Sequence, residues 1–161
     1  MFGVGPRLTR RRVVLGTALA ALSATVAVVR LRGYDEPWQT AVIRHLARRV
    51  CAADRPDVVT PDEVGVTAFV EAFVATMPAR LKRDFGRFLR FVEHVAPLGA
   101  GFASRFTKLP PEAQDEVLSS LEAHSNELIR GGFDAVKAAL FMGYYRDPRT
   151  WSILGYEGPR L

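Results

Sequence analysis

Apolar side chains recur at helical spacing through most of the chain after residue 37. The first such stretch runs from Trp38 to Val50, with apolar positions on one face and arginines mostly to one side. A period of three to four residues is typical of an amphipathic helix that packs its apolar face against a core. No stretch alternates with period two for long enough to predict a strand.

A second helix is predicted after the break at residues 54–57. Thr60 is placed to cap it, Pro61 to occupy its first position and Glu63 to complete a capping box. Its inward stripe has the spacing of one helix face and comprises Val66, Phe69, Val70, Phe73, Val74 and Met77.

A third predicted helix covers residues 79–95 and has two chemically different faces. The apolar face holds Leu81, Phe85, Phe88, Leu89, Val92 and Val95. The other face holds Arg80, Lys82, Arg83, Arg87 and Arg90. Two interpretations of this basic face remain open: a solvated surface, or contact with an acidic partner or anionic headgroups.

Two further helices are predicted beyond a loop at residues 97–101. Phe102, Phe106 and Leu109 are expected to anchor the crossing to the core. The fourth helix begins at Pro110 and Pro111 and carries its inward side chains at Val117, Leu118, Leu121, Ser125 and Leu128. Gly131 and Gly132 are expected to kink or interrupt the chain. The fifth helix then buries Phe133, Val136, Leu140, Phe141 and Tyr144.

The last eighteen residues, from Tyr144 to Leu161, are rich in residues that restrict or shape the backbone. Asp147 is predicted to cap a short helix that starts at Pro148, and Gly155 to adopt the left-handed conformation at its end. Trp151 and Leu154 are expected to face the bundle. The segment is interpreted either as a helix docked on the core or as a rigid aromatic patch for another protein.

These elements predict an all-α fold, a small orthogonal or irregular bundle of five to six helices. The bundle occupies residues 33–161 and follows a signal or anchor segment at residues 1–32. The net charge of +5 does not indicate nucleic-acid binding, because residues 1–32 hold six arginines and no acid. The remaining residues hold 16 basic against 17 acidic side chains.

The N-terminal segment is typical of an export signal. Thr9, Arg10 and Arg11, followed by Arg12 and Val13, resemble a twin-arginine motif, and the residues from Val13 to Val29 are uncharged. The alternatives are an ordinary secretory signal or a signal anchor, and cleavage is left open. In each case the helical domain is expected in the periplasm or on the outer face of the cytoplasmic membrane.

Little in the sequence indicates catalysis. The single cysteine, Cys51, excludes an internal disulfide and is interpreted as a buried small residue, with an intersubunit disulfide or a reactive thiol as alternatives. His45, His94 and His124 lie on three different predicted helices and do not have metal-ligand spacing. No G-x-G-x-x-G motif is present. We therefore expect no catalytic, metal or cofactor site in this chain.

Two motifs resemble the gluconate 2-dehydrogenase subunit 3 family. The first is the Phe-x-x-Leu-Pro entry to a helix; the second is a terminal Tyr-x-Asp-Pro motif followed by Trp and Gly-Tyr-x-Gly-Pro. Here they comprise Phe106, Leu109, Pro110, Tyr145, Asp147, Pro148, Trp151, Gly155, Tyr156, Gly158 and Pro159. The resemblance covers about residues 105–160, and the basic helix at 79–95 is not tied to it.

The resemblance implies a non-catalytic small subunit of a membrane-associated dehydrogenase complex. Its partner would be a large FAD enzyme of the glucose-methanol-choline type, which folds in the cytoplasm and is escorted outward by the small subunit's signal. Electrons would pass to a cytochrome c subunit or another acceptor. Tyr145, Arg149 and Tyr156 are the side chains expected to meet the partner. The alternative is a stand-alone, membrane-anchored helical adaptor for another exported complex.

Overall fold

A computed structural model describes residues 37–52, 58–156 and 158 of the chain. The segment at residues 1–32, including Arg10 and Arg11, lies outside the described residues, as does Pro159. Within the described part there are six α-helices and no strand, so the predicted all-α class is confirmed.

The helices are joined by short turns and three irregular helical segments. In chain order the α-helices are α1 (Trp38–Ala47), α2 (Val66–Thr76), α3 (Ala79–His94), α4 (Ala96–Gly99), α5 (Pro111–Glu122) and α6 (Glu127–Tyr145). A π-helical turn, Arg48–Ala52, continues α1. Two 3₁₀ segments lie at Phe106–Lys108 and Pro148–Leu154.

One hydrophobic core joins the long helices, and α6 runs along α2, α3 and α5. The largest fully buried apolar side chains come from every long helix and from the first 3₁₀ segment. They are Tyr144, Phe106, Phe133, Leu46, Leu89, Leu121, Leu140, Val42, Val66, Val70 and Val92. The predicted helix from Trp38 to Val50 is confirmed as α1 and its π-helical turn.

The start of α2 differs from the prediction. Thr60 and Glu63 do form the reciprocal capping contacts, at 2.7 Å from the Thr60 amide to Glu63 Oε2 and 3.3 Å from the Glu63 amide to Thr60 Oγ1. They close a single turn, because Gly65 has φ of +70° and ends it with bonds from Val66 to Pro61 and from Gly65 to Asp62. The helix proper starts only at Val66.

Several residues expected on inward faces are exposed instead. On α3, Leu81 and the flanking Val95 are about half exposed, whereas Leu89 and Val92 are buried. The stretch predicted as a loop at 97–101 contains all of α4 except Ala96, and the turn after it. The basic side chains of α3 are exposed, as either interpretation of that face requires.

The boundary between α5 and α6 lies earlier than predicted. The inward positions Val117, Leu118 and Leu121 are confirmed, but α5 ends at Glu122 and both Ser125 and Leu128 are exposed. Asn126 starts α6, since its side chain accepts a 2.9 Å bond from the Leu128 amide. Asn is a favoured N-cap residue, so this cap has a local signal in the sequence.

Gly131 and Gly132 do not break the helix, because α6 continues through both. Gly132 instead allows close packing: a Cβ there would lie 2.6 Å from the ring of Phe88 on α3. Gly143, two residues before the end of α6, has the same role toward α2, since a Cβ there would lie 2.8 Å from the ring of Phe69. The predicted kink is therefore wrong, and these two glycines permit helix crossings.

Two buried polar groups link elements that are distant in sequence. Glu93, fully buried on α3, accepts bonds from the Thr107 amide and hydroxyl at 3.1 and 2.7 Å and lies 3.8 Å from the buried Arg105 guanidinium. Arg49 forms a two-point contact with Asp115 on α5, at 2.8 and 2.6 Å. Buried charges need such partners, because desolvation without them is costly.

Candidate functional site

The C-terminal segment turns away from α6 immediately after Tyr145. The Asp147 side chain accepts a 3.0 Å bond from the Arg149 amide, and Pro148 occupies the first helical position. The helix that follows, Pro148–Leu154, is 3₁₀ in type and ends at Gly155 with φ of +64°. The predicted cap, start and left-handed end are all confirmed.

Trp151 fastens this segment to the last turn of α6. Its indole Nε1 donates a 2.7 Å bond to the backbone carbonyl of Tyr145, which the helix end leaves without an intrahelical partner. The Tyr156 ring packs on the indole at a centroid distance of 5.3 Å, and a Cβ at Gly158 would lie 3.4 Å from it. Trp151 is thus half-buried between α6 and the chain that follows the 3₁₀ helix.

Thr150 is the buried anchor that sequence reasoning missed. It is fully buried, and its hydroxyl lies 2.8 Å from the Asp147 carbonyl and 3.3 Å from that of Tyr144. A threonine three residues after a capping Asp is a signal for such local bonding. Leu154, one turn further on, is 60 % exposed, so the prediction that it faces the bundle is wrong. The described contacts of the segment with α6 come from Thr150 and Trp151.

Arg149 is exposed but held in one orientation. Its Nε and Nη2 atoms donate to the two carboxylate oxygens of Asp147 at 3.0, 3.2 and 2.7 Å. The guanidinium and the Arg149 amide lower the pKa of Asp147 to about 2, and the carboxylate raises the pKa of Arg149. A bidentate pair of this geometry restricts the arginine more than a point contact would.

The other two expected contact residues differ in their exposure. Tyr156 is half exposed beside Trp151. Tyr145 is half-buried, with its ring 5.2 Å from that of Tyr144 and 5.8 Å from that of Phe141. Burial raises the pKa of Tyr145, with the neighbouring Cys51 as a smaller cause. We call Tyr145, Arg149, Trp151 and Tyr156 the C-terminal surface.

The residues of the Phe-x-x-Leu-Pro motif make contacts within the domain that stabilise the fold. Phe106 is fully buried, and its carbonyl and that of Leu109 accept bonds of 3.1 Å from the side-chain amide of Gln114. The same Gln114 nitrogen lies 2.9 Å from Nδ1 of His45 on α1. Pro110 precedes α5 at its N-cap position. Gln114 was not recognised, although it extends the inward spacing of Val117, Leu118 and Leu121 by one turn.

The remaining candidates for chemistry are separated. His45 lies beside Gln114, and His124 Nδ1 accepts a bond from the Asn126 amide in the turn before α6. Cys51 packs partly against the core, and burial raises its pKa to about 12, which keeps the thiol protonated at neutral pH. No group of three or more His, Cys, Asp and Glu side chains converges within the described residues. None of the helices described there combines the length and apolar character of a bilayer-spanning helix.

Comparison with protein families shows where this arrangement belongs. The model for gluconate 2-dehydrogenase subunit 3 matches residues 37–158, which is most of the chain. The chain belongs to the gluconate 2-dehydrogenase subunit 3 family. Comparison with curated proteins and with solved structures found no match.

The extent of the match adds to the sequence motifs. The sequence motifs cover about residues 105–160, whereas the match to the gluconate 2-dehydrogenase subunit 3 model also includes α1, α2 and α3. The basic helix α3 is therefore part of the family's domain. The family description names a subunit of a dehydrogenase complex, which is consistent with an accessory role for this chain.

Proposed function

We propose that this chain is a non-catalytic accessory subunit that binds, stabilises and escorts a FAD-dependent dehydrogenase of the glucose-methanol-choline type. The observation that carries the proposal is the family match over residues 37–158. The flavin belongs to the partner, and its electrons pass to a cytochrome c subunit or another acceptor. The complex functions in the periplasm or on the outer face of the cytoplasmic membrane.

The C-terminal surface supports the binding role. Its arginine, tryptophan and tyrosines are the residue types that contribute most to binding energy in protein interfaces. Asp147 holds Arg149 in place, and Trp151 is bonded to Tyr145, so both side chains are ordered before a partner arrives. Pre-ordered side chains lose less conformational entropy on binding, which favours association.

The export role is supported by the sequence of the N-terminal segment. Arg10 and Arg11 follow Thr9 and precede an uncharged stretch, as in twin-arginine signals. That route carries folded proteins, so a flavoenzyme without its own signal could be exported when bound to this subunit.

The test is co-expression of the full chain with a glucose-methanol-choline flavoenzyme that lacks its own export signal and comes from the same organism. Changing both Arg10 and Arg11 to Lys should leave the complex intact and hold the flavoenzyme in the cytoplasm. The matched control changes Arg30 and Arg32 to Lys, which keeps the same charge and number of substitutions at the far end of the uncharged stretch. Flavoenzyme activity is measured in periplasmic and cytoplasmic fractions.

Two outcomes would contradict parts of the proposal. Export of the flavoenzyme by the Arg10→Lys, Arg11→Lys variant would show that the escort role is wrong. A failure of the wild-type chain to bind any flavoenzyme would favour the stand-alone adaptor.

A further inference from the structure

A groove lies between α1, α2 and α3, on a different part of the domain surface from the residues of the C-terminal surface. It has two adjoining parts of about 350 and 340 Å³, both bordered by Gln39, Lys82 and Gly86. The floor of the first part is apolar and includes Ile43, Val74, Phe85 and Leu89. The groove thus offers apolar side chains at the bottom of an open channel.

The border of the groove along α3 is strongly basic. Its exposed face carries Arg80, Lys82, Arg83, Arg87 and Arg90 against one acid, Asp84. Asp84 lies 3.2 Å from Arg87 and 4.0 Å from Arg80, while Lys82 donates to the Ala75 carbonyl at 3.0 Å. The Arg90 guanidinium lies 5.4 Å from the Trp38 ring centroid.

Arg83 has no ion-pair partner among the described residues, so this border keeps an excess of positive charge. The opposite wall contributes one acid, Glu71, which accepts a 2.5 Å bond from Thr40. The groove is therefore complementary to a ligand that carries several negative charges together with apolar side chains.

The shape favours a protein segment over a lipid surface. A planar layer of headgroups would meet the outer crest of α3 and leave the floor formed by Ile43, Phe85 and Leu89 unfilled. An amphipathic segment can insert apolar side chains into such a floor and place acidic ones against the basic border. Grooves between helices are a common site for this mode of recognition.

We infer that this groove binds an acidic, amphipathic segment of the partner dehydrogenase subunit. The inference rests on the proposed function, and it adds a second contact area to the C-terminal surface. The basic border sets the charge of the segment, and the apolar floor sets the spacing of its inserted side chains. Such an electrostatic contact weakens as the salt concentration rises.

The first test reverses one charge. Arg83→Glu should raise the Kd for the co-expressed flavoenzyme subunit by about tenfold at low ionic strength, because like charges would then face each other. Lys108→Glu is the matched control: Lys108 is also exposed, but it borders neither part of the groove. The Kd is measured by mass photometry of the diluted complex at several salt concentrations.

The second test fills the apolar floor without changing charge. Ala75 is exposed and borders the groove, so Ala75→Trp should block insertion and lower the yield of the complex. Ala138→Trp places the same side chain at an exposed alanine of α6 and should leave the yield unchanged. Thermal unfolding of each free variant shows whether the domain remains folded.

The outcomes separate this inference from the proposed function. If the wild type binds the flavoenzyme and both groove variants bind it as tightly, the groove inference is wrong and the proposed function stands. If the wild type binds no flavoenzyme, the proposed function fails and the inference fails with it. Wild-type binding to phosphatidylglycerol vesicles that Arg83→Glu abolishes, with the complex unaffected, would assign the groove to lipid and also overturn the inference.

Discussion

Gly131, Gly132 and Gly143 lie on one helix but have different surroundings. A Cβ at Gly131 would meet nothing within 4 Å, whereas at Gly132 and Gly143 it would meet the rings of Phe88 and Phe69 below 3.0 Å. The sequence shows three glycines with helix-weakening character. Only the neighbouring helices show that two of them are needed for close approach.

Gly143→Ala should therefore destabilise the domain and Gly131→Ala should stabilise it. Overpacking against Phe69 and Val66 is expected to lower the free energy of unfolding by about 1–3 kcal/mol. At exposed Gly131, alanine reduces the backbone freedom of the unfolded chain, so Gly131→Ala should raise the free energy of unfolding by about 0.5–1 kcal/mol. Urea denaturation measures both, and equal effects of the two changes would contradict the role of Gly143 as a contact residue.

At the scale of elements, local signals specify ends better than they specify extents. The Thr60 and Glu63 capping contacts form as predicted, yet Gly65 limits the element they start to one turn. At the C terminus, the helical segment begins after Asp147 and ends at Gly155, as predicted, but it is a 3₁₀ helix. A cap satisfies the first free amides and does not determine how far the helix continues.

The Asp147 cap gives a prediction for pH dependence. Bonds from Arg149 lower the pKa of Asp147 from 3.8 to about 2, so the carboxylate's contribution to stability is fully present above pH 4. It should be lost as the pH falls from about 4 to 2. The difference in unfolding free energy between wild type and Asp147→Asn should thus be constant at neutral pH and shrink in acid.

Urea titrations at pH 7, 4 and 2.5 measure this difference. Glu116→Gln, at an exposed position on α5, controls for the loss of one surface carboxylate. A difference between wild type and Asp147→Asn that is equally large at pH 7 and 2.5 would show that Arg149 does not stabilise the ionised form.

At the scale of the whole molecule, the domain presents two surfaces that differ in character. The C-terminal surface is mainly aromatic; Arg149 is bonded to the Asp147 carboxylate and Trp151 to the backbone carbonyl of Tyr145. The groove is apolar at its floor and basic at its border. Such surfaces suit a subunit that contacts a larger protein at more than one place.

Replacing Arg149 and Tyr156 together by Ala should weaken the complex and leave helix content unchanged. The Arg149 side chain is more than half exposed and Tyr156 is about half exposed, so their removal costs little core packing. The control replaces Lys108 and Leu128, an exposed cation and an exposed apolar residue outside this surface. Co-purification with the flavoenzyme and circular dichroism give the two readouts. Loss of folding in the Arg149 and Tyr156 variant would assign the tail a purely structural role.

The sequence by itself determined the helical class, the inward stripes of α1 and α5, and the bounding residues of the C-terminal segment. These follow from local rules: helical periodicity, side-chain caps and the left-handed preference of glycine act within a few residues. The same rules misplaced the boundary between α5 and α6, because an apolar stripe continues in sequence past the point where the chain turns.

Only the tertiary structure decided which apolar and polar positions are covered. Leu154 and Leu81 have helical spacing, but no described element packs over them and both are more than half exposed. Thr150, Gln114 and Glu93 are buried, and each forms hydrogen bonds with neighbouring backbone groups. The groove likewise depends on the crossing of α1, α2 and α3, which no local pattern encodes. Burial is a property of pairs of elements, and their contacts join residues far apart in the chain.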